Sequence, residues 1–427
     1  MSHTSAYPRS TASVIRAAAV VVFAGAALTV PCIAEDFRVQ LDTIHSGYDG
    51  IHCWVHPRAG VVPNPNGPPT VVLTMMQLWL KGSDVFGPLN EMRTDDLGRT
   101  WSGPHTHADT LGPRSEGPNI TVTPNDFTPK WHSRSGRLLA IGQTARYEEK
   151  NGVRKLIPVR AREVSYAVYD PVKRTWSPWA ILVMPDPVKF YNAGAGSVQR
   201  VDLPNGDILL PVYVKTDKAK KGGPVVVLRC GFDGTTLTVK EVGSDVSVPS
   251  GREVGRGLGE PSLIQFGKRF HLTLRNDHDG YVASSDDGLH FDPPRSWNWD
   301  DGTSLGNYNT QQHWVAHRDK LYLVYTRKGA NNDHVFRHRA PLFMAQVDPK
   351  RLVVLRATER ILVPERGARL GNFGVTEVNE NETWVTVAEW MQTWGPNVVM
   401  PVNNKYGSNN SVYVARILWK TPAAGEP

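Results

Sequence analysis

Hydrophobic residues in this chain alternate with polar residues over short runs, and helical periodicity is nearly absent. The runs are rich in β-branched residues and end at Gly, Pro, Asn or Asp, which is the pattern of strands joined by turns. They group into units of about 40 to 70 residues, a spacing typical of repeat folds. Each unit opens with one strand, turns through a hairpin and continues into a more apolar strand. The sequence therefore predicts an all-β protein built from repeated units.

Six such units can be counted, the first of which covers residues 48–104. The first strand of the chain, residues 37–43, is expected to pair with the last, residues 411–419. This pairing would close the units into a ring and hide strand edges that otherwise aggregate. Seven units are the alternative, because boundaries read from sequence shift by a few residues. The hairpins of the later units are predicted at residues 133–136, 203–206, 266–268, 317–320 and 379–382.

Two segments, residues 94–101 and 284–291, carry the same turn pattern, Ser/Thr-x-Asp-x-Gly-x-Thr-Trp/Phe, with His290 as the one departure. In such a turn the Asp side chain accepts backbone N–H groups and Gly takes the positive-φ position. The closing aromatic ring is expected to pack between neighbouring sheets. These turns predict structural fasteners on the rim of a repeat fold, away from its axis.

The pattern is the Asp-box, and together with the six-unit layout it makes nearly the whole chain resemble the sialidase-superfamily β-propellers. The resemblance implies an all-β fold, a six-bladed β-propeller of sialidase type, with seven blades as the alternative. The sialidase motif Phe/Tyr-Arg-Ile-Pro is absent, since residues 37–40 read Phe-Arg-Val-Gln, and no Tyr–Glu nucleophile pair can be assigned. The chain also resembles propeller enzymes that cleave rhamnose–glucuronate linkages and the ulvan lyases, which place His, Tyr and Arg around an acidic sugar.

The N-terminal segment has the pattern of a signal peptide. Arg9 and Arg16 precede an apolar stretch at residues 17–30, which is too short to span a membrane. Cleavage after Ala34 would leave one propeller domain over residues 35–427. We expect export to a periplasm or to the extracellular space, without membrane insertion after cleavage.

The charge of the chain limits the classes of ligand that it can bind, and its cysteines indicate buried thiols. The net charge is +7, and its basic excess is spread along the chain rather than gathered into the stripe that nucleic-acid binding requires. A local cationic pocket for an acidic oligosaccharide or polysaccharide fits this balance better. Beyond the leader, Cys53 and Cys230 lie in apolar runs and are predicted to be buried thiols. No cofactor is expected; a central Ca²⁺ is compatible with such a fold, but no motif requires one.

In a propeller, the loops at the starts of inner strands and at the ends of second strands build the axial site. Four of the six second strands end in a cation, which predicts an electropositive well. Arginine binds carboxylate with two parallel hydrogen bonds, which lysine cannot do. The starts carry His52, Asp126, residues 194–196, Glu260, residues 312–313 and Asn372, and the ends carry Gln77, Arg146, Lys215, Arg275, Arg327 and Glu389.

The catalytic candidates are three histidines and one tyrosine. His52 and His56 are four apart in a strand, which would place them on one face; His313 lies in a polar-aromatic cluster, and Tyr191 opens the third unit. Histidine titrates near neutral pH and suits a general base, although a structural role for His313 is equally open. No third ligand suggests a zinc site. The candidate substrate-binding residues are Arg58, Asp126, Arg146, Asn192, Glu260, Arg275, Gln312 and Arg327.

Three functions fit these features. The first is a secreted enzyme that cleaves a glycosidic bond at a uronate or sialate, as a sialidase-like hydrolase or as a lyase that acts by β-elimination. The second is a non-catalytic glycan-binding propeller, and the third is a protein-interaction scaffold. Two polar segments, residues 331–339 and 365–369, are candidates for the rim of the site, and the first of them fits a solvated surface loop equally well.

Overall fold

A computed structural model gives the architecture. It describes residues 36–420 except 83, 152, 158–161, 216–222, 249–254, 395–398 and 403. The residues after Glu35 form one compact unit. The predicted leader and its cleavage site lie outside the described residues. The described part of the chain contains no helix that is long and apolar enough to cross a membrane.

The described strands pair into six antiparallel sheets, numbered here in chain order, and one two-stranded ribbon. Strand β1 (Phe37–Ser46) comes first, and its sheet is completed at the end of the chain. Sheet 1 contains β2 (His52–Val62), β3 (Thr70–Trp79), β4 (Val85–Thr94) and β5 (Ser102–Thr106). After the short helix α1 (Ala108–Leu111), sheet 2 contains β6 (Arg114–Gly117), β7 (Ile120–His132), β8 (Arg137–Lys150), β9 (Val153–Leu156), β10 (Val164–Asp170), β11 (Thr175–Trp176) and β12 (Ala180–Ile181). Sheet 3 contains β13 (Asn192–Gly194), β14 (Val201–Asp202), β15 (Ile208–Lys215), β16 (Val225–Phe232) and β17 (Leu237–Val242).

The second half of the chain repeats this plan. Sheet 4 contains β18 (Gly259–Phe266), β19 (Arg269–Arg275), β20 (Gly280–Ser285) and β21 (Arg295–Ser296). Sheet 5 contains β22 (His313–His317), β23 (Lys320–Tyr325), β24 (Leu342–Asp348), β25 (Val353–Val354) and β26 (Arg360–Val363). Sheet 6 contains β27 (Gly374–Asn379) and β28 (Glu382–Ala388), then, after the ribbon of β29 (Gln392–Trp394) and β30 (Val399–Pro401), β31 (Ser411–Trp419). Short 3-10 turns occupy Phe336–His338, Arg356–Thr358 and Asn404–Tyr406.

The ring is closed by the pairing predicted from the sequence. Strand β1 lies antiparallel to β31, in a register that runs from Phe37 opposite Trp419 to Ser46 opposite Ser411. The N-terminal strand therefore forms the outer edge of sheet 6, whose inner strand is β27. The predicted hairpins also join the expected strands, as between β7 and β8.

Apolar side chains fill the spaces between successive sheets. Six clusters of buried residues are each built mainly from two neighbouring sheets, so the packing runs around the ring. Trp384 of sheet 6 and Leu73 of sheet 1 share the cluster at the closure. Cys53 and Cys230 are buried free thiols within these clusters, as predicted, and burial raises the pKa of each to about 12.

The propeller arrangement is all-β as predicted, but its blade count is five rather than six or seven. The sheets themselves number six, and they are not equally regular. In sheet 3 the innermost position is divided between β13 and β14, and the residues between them lie in no strand. A regular blade has one continuous inner strand, and this interruption gives a physical reason for the lower count.

The two predicted turns form the expected hydrogen bonds, with one shift in the second. In the first turn, the backbone N–H of Thr100 donates to Asp96 Oδ1 at 2.9 Å, and Gly98 has a φ of 81°. In the second, the sequence pattern aligns Asp286 with Asp96, yet the backbone N–H groups of Leu289 and His290 donate to Asp287. The closing Trp101 packs against Trp384 of the neighbouring sheet, with ring centroids 5.9 Å apart.

We expect Asp287→Ala to lower the free energy of unfolding by about 1 kcal/mol, because it leaves the N–H groups of the turn without an acceptor. Burial acts to raise the pKa of Asp287, but bonds from the His290 ring and the backbone hold it well below its usual range. Such a carboxylate stabilises the fold above the unfolded-state pKa, and the stability is lost as pH falls. The difference from wild type should therefore shrink below about pH 4, as measured by denaturant unfolding.

Asp286→Ala is the matched control, because its side chain is 87% exposed and contacts only Arg269 among described ion-pair partners. It should unfold like the wild type. Equal destabilisation by both variants would mean that the turn depends on the aligned residue instead.

Candidate functional site

A cavity of about 540 Å³ opens on the propeller axis, and all six sheets or their connections contribute to it. Its volume is in the usual range of ligand sites. Seven basic side chains and four carboxylates line it, which makes it strongly charged. A second cavity of about 650 Å³ is lined largely by the inner strands farther along the axis, with fewer charged groups. We therefore take the first, which we call the axial cavity, as the candidate site.

Three inner strands use the same device to direct a side chain into the axial cavity. Strands β2, β7 and β18 each contain a bulge, at residues 55–58, 125–128 and 259–262. Within these bulges His56, Asp126 and Glu260 have φ values of 54°, 55° and 42°. Bulges next to active sites re-aim side chains in this way.

Six of the sixteen described residues other than glycine that have a positive φ line this cavity. Such backbone costs energy and tends to persist at functional sites. The residues that combine a positive φ with a place in the cavity wall are His56, Asp84, Asp126, Ser197, Glu260 and Arg337.

Arg337, Arg339 and Arg369, here called the arginine cluster, meet on one side of the cavity. Among the described residues, none of the three forms an ion pair with a carboxylate. Arg369 is only 4% exposed, and its guanidinium lies 4.7 Å from the Trp390 ring centroid. Its Nε and Nη2 have no hydrogen-bond partner within the described part of the chain. Burial lowers the pKa of Arg369 to about 9 and that of Arg339 well below its usual range. A bound anion would offset the cost of holding these charges together.

Two of the four other cations in the cavity wall are neutralised by ion pairs. Arg275 forms an ion pair with Glu260, and Arg256 Nη2 lies 2.7 Å from Asp277 Oδ1. Asp126 is bound by Arg58 Nε at 2.8 Å and by the Ser197 hydroxyl at 2.5 Å. Burial acts to raise the pKa of Asp126, but the Arg58 charge and these hydrogen bonds hold it well below its usual range. Asp126 therefore stays ionised and cannot donate a proton at neutral pH.

Tyr213 lies in β15, the second strand of sheet 3, and its ring reaches the cavity because the inner strand β13 has a glycine opposite it. It pairs with Gly194, where an added Cβ would lie 2.7 Å from the Tyr213 ring and 2.6 Å from Arg162 Cδ. The phenol donates a hydrogen bond to Gln143 Oε1. Burial raises the pKa of Tyr213, so its hydroxyl is protonated at neutral pH.

His56 lies between the arginine cluster and two aromatic rings, Phe86 and Trp390. Arg339 Nη1 donates to Asn372 Oδ1 at 3.2 Å, so the amide nitrogen of Asn372 faces His56 Nε2, also at 3.2 Å. The amide thus donates to Nε2, and the neutral ring carries its hydrogen on Nδ1. Burial lowers the pKa of His56, which favours this neutral ring.

Five of the predicted site residues line the axial cavity: His56, Asp126, Asn192, Glu260 and Arg275. Lys215, one of the predicted strand-end cations, lines it as well. Of the four strand-end cations that predicted an electropositive well, Arg275 and Lys215 therefore line the cavity, whereas Arg146 and Arg327 do not.

The other predicted residues lie elsewhere. Arg146 binds Glu116 and Glu163, and Arg327 binds Glu359 at 2.6 Å while stacking on Phe343. His52 bonds to Asp49 and does not line the cavity. The bulge in β2 interrupts the alternation that would have placed His52 and His56 on one face. Tyr191 is half-buried outside the cavity lining.

Three predicted residues are buried in the polar layer beneath the site. Arg58 and Gln312 are at most 1% exposed, and Gln312 accepts from Thr273 Oγ1 at 3.0 Å. His313 Nδ1 lies 2.5 Å from Ser262 Oγ, and burial lowers the pKa of His313 to about 3. These contacts match the structural alternative for His313 rather than a catalytic role.

Sequence reasoning did not select Asp84, Arg162, Tyr213 or the arginine cluster as site residues. The sequence did indicate the segments that contain the arginine cluster, since residues 331–339 and 365–369 are predicted candidates for the rim of the site. Arg162 and Asp84 lie in connections between strands, away from the strand starts and ends at which the sequence predicts site residues. No group of three or more His, Cys, Asp or Glu that could hold a metal occurs among the described residues.

Comparisons with known proteins bear on the fold. No family model and no curated protein matches the chain. Among solved structures, it is similar to a protein of unknown function from Dyadobacter fermentans, with 15% identity and a TM-score of 0.59 over 90% of this chain and 99% of that one. It is similar to the Hadza microbial sialidase Hz136 (12%, TM-score 0.59, 89% and 68%) and to the NanB sialidase of Streptococcus pneumoniae (12%, 0.57, 89% and 70%). The chain thus has the sialidase-type propeller fold that its sequence predicted.

Proposed function

We propose that this protein is an exported, sialidase-like glycoside hydrolase that cleaves a glycosidic bond at a carboxylate-bearing sugar. The observation that carries the proposal is the arginine cluster: three guanidinium groups without a carboxylate partner among the described residues, facing an axial cavity. A sugar carboxylate supplies the missing negative charge and can accept paired hydrogen bonds. The likeness to sialidases supports a glycan as the ligand.

Two groups in the cavity wall suit hydrolysis. The protonated Tyr213 hydroxyl donates its proton to the leaving oxygen as the bond from the anomeric carbon breaks. The Glu260 carboxylate, which Arg275 orients, accepts a proton from the water that attacks that carbon. Opposite proton-transfer roles for two neighbouring groups are the usual requirement of glycoside hydrolysis.

A second candidate is β-elimination, which the state of His56 favours. Its ring is neutral, and the lone pair on Nε2 meets only the Asn372 amide among described hydrogen-bond partners. After displacing that amide, Nε2 can remove the proton next to a uronate carboxylate that the arginine cluster neutralises. Tyr213 then protonates the leaving oxygen, and a carbon–carbon double bond forms in the product.

One experiment distinguishes these chemistries. The protein is incubated with sialosides and uronate-containing glycans while new reducing ends and ultraviolet absorbance are followed together. Reducing ends without absorbance indicate hydrolysis, and rising absorbance indicates the unsaturated product of elimination. Binding of acidic sugars without any product would support the glycan-binding alternative, and absence of binding would reject the proposal.

A further inference from the structure

We infer that the axial cavity has a second anion-binding subsite at Arg162, so that the substrate carries acidic groups on both sides of the bond that is cleaved. This inference rests on the proposed function and extends it to the class of substrate. The second group is a carboxylate or a sulfate ester, which share the oxygen acceptors that a guanidinium binds.

The position of Arg162 in the ring separates it from the arginine cluster. Arg162 lies in the connection before β10 of sheet 2, and its carbonyl accepts the N–H of Ala193 in sheet 3 at 2.8 Å. Arg337 and Arg339 lie in the connection between β23 and β24 of sheet 5, and Arg369 lies between sheets 5 and 6. The order in which the sheets pack places sheet 4 between these two regions on one side of the ring and sheet 1 on the other.

Arg162 also has no counter-charge in ion-pair contact among the described residues. It lines the cavity, forms no ion pair with a described carboxylate, and its buried Nε has no hydrogen-bond partner among the residues that the structure describes. Its guanidinium lies 5.2 Å from the Tyr213 ring centroid. Lys215, on the next element of the wall, adds a second positive charge that forms no ion pair with a described carboxylate.

The cations between Arg162 and the arginine cluster already form ion pairs with protein carboxylates. The cavity therefore has two separate regions that attract anions rather than one continuous positive surface. Arg275 and Arg256 bind Glu260 and Asp277. A glycan that crosses the cavity from the arginine cluster therefore passes Tyr213 and meets Arg162 just beyond it. The sugar at Arg162 then belongs to the leaving side of the substrate.

The test compares binding of uronate disaccharides before turnover, by stopped-flow fluorescence of tryptophan, since Trp390 lines the cavity. Each diuronate is compared with two derivatives of the same disaccharide. In one, the carboxylate on the leaving side is reduced to an alcohol, and in the other that carboxylate is replaced by a sulfate ester. The wild type should bind one doubly charged form about tenfold more tightly than the singly charged one. The form that is preferred identifies carboxylate or sulfate.

Arg162→Gln should abolish this preference and leave the affinity for the singly charged sugar unchanged. Arg162→Lys keeps the charge without the planar fork and should retain part of the preference, which also serves if the Gln variant folds poorly. Arg327→Gln, the same change at an ion pair outside the cavity, is the control. A wild type without preference, or a preference that survives in Arg162→Gln, overturns the inference alone, whereas failure of every acidic sugar to bind rejects the proposed function.

Discussion

Arg369→Gln is expected to weaken the binding of a carboxylate-bearing sugar by about a hundredfold, which corresponds to about 3 kcal/mol. Arg369 is buried against Trp390 and Phe336, and two of its nitrogens have no hydrogen-bond partner among the described residues. Glutamine preserves much of the packing volume but removes the charge that the sugar carboxylate would meet. Affinity should be measured with an acidic sugar and with its neutral alcohol, because the loss should be confined to the acid.

The same variant should not be less stable than the wild type, because it relieves repulsion among three arginines and removes a buried charge that has no described ion-pair partner. Arg327→Gln serves as the matched control and should bind the acid like the wild type, since Arg327 pairs with Glu359 away from the cavity. Equal affinity of Arg369→Gln and wild type for the acid would show that the arginine cluster does not bind the carboxylate.

Tyr213→Phe is expected to lower turnover about a thousandfold with little change in affinity, because it removes the proton donor and keeps the ring. Since burial raises the pKa of Tyr213, the acidic form persists to higher pH than for an ordinary tyrosine. Wild-type turnover limited by this group should therefore be retained as pH rises through about 10. Steady-state rates over a pH series, with binding measured separately, test both expectations.

Tyr322→Phe is the control for this change, since its hydroxyl bonds to Asp36 at the ring closure, remote from the cavity lining. It should turn over substrate at the wild-type rate. A Tyr213→Phe variant that retains full turnover would remove Tyr213 from the reaction under both hydrolysis and elimination.

Much of the fold could be predicted from the sequence. The alternation of apolar and polar residues predicted the strands, and the two Asp-type turns predicted the propeller. The pairing of residues 37–43 with residues 411–419 was also foreseen, because edge strands must be covered and both termini end in strand patterns. The second turn shows the limit of the sequence pattern, which aligns Asp286 with Asp96, whereas the backbone N–H groups bond to Asp287. Asp286 and Asp287 are adjacent and chemically identical, so only the local backbone geometry decides which of them accepts these bonds.

The site was foreseen only in part. Asp126, Glu260 and Arg275 were placed in the cavity from strand starts and ends, because a propeller brings those positions to its axis. The same prediction was wrong for Arg146 and Arg327, because carboxylates from other parts of the chain bind them outside the cavity. Whether a cation faces a ligand or a protein carboxylate depends on residues that are distant in sequence.

The sequence by itself therefore determined the local content of this protein: its strands, its turns, its closing pair and the abundance of arginine near strand ends. The arginine cluster, the reach of Tyr213 over Gly194 and the side chains turned inward at three bulges arise only when six sheets pack around one axis. Hydrophobic alternation is a property of neighbouring residues and survives in the linear chain. A binding site depends on which charges remain without partners, and that is settled by contacts between sheets.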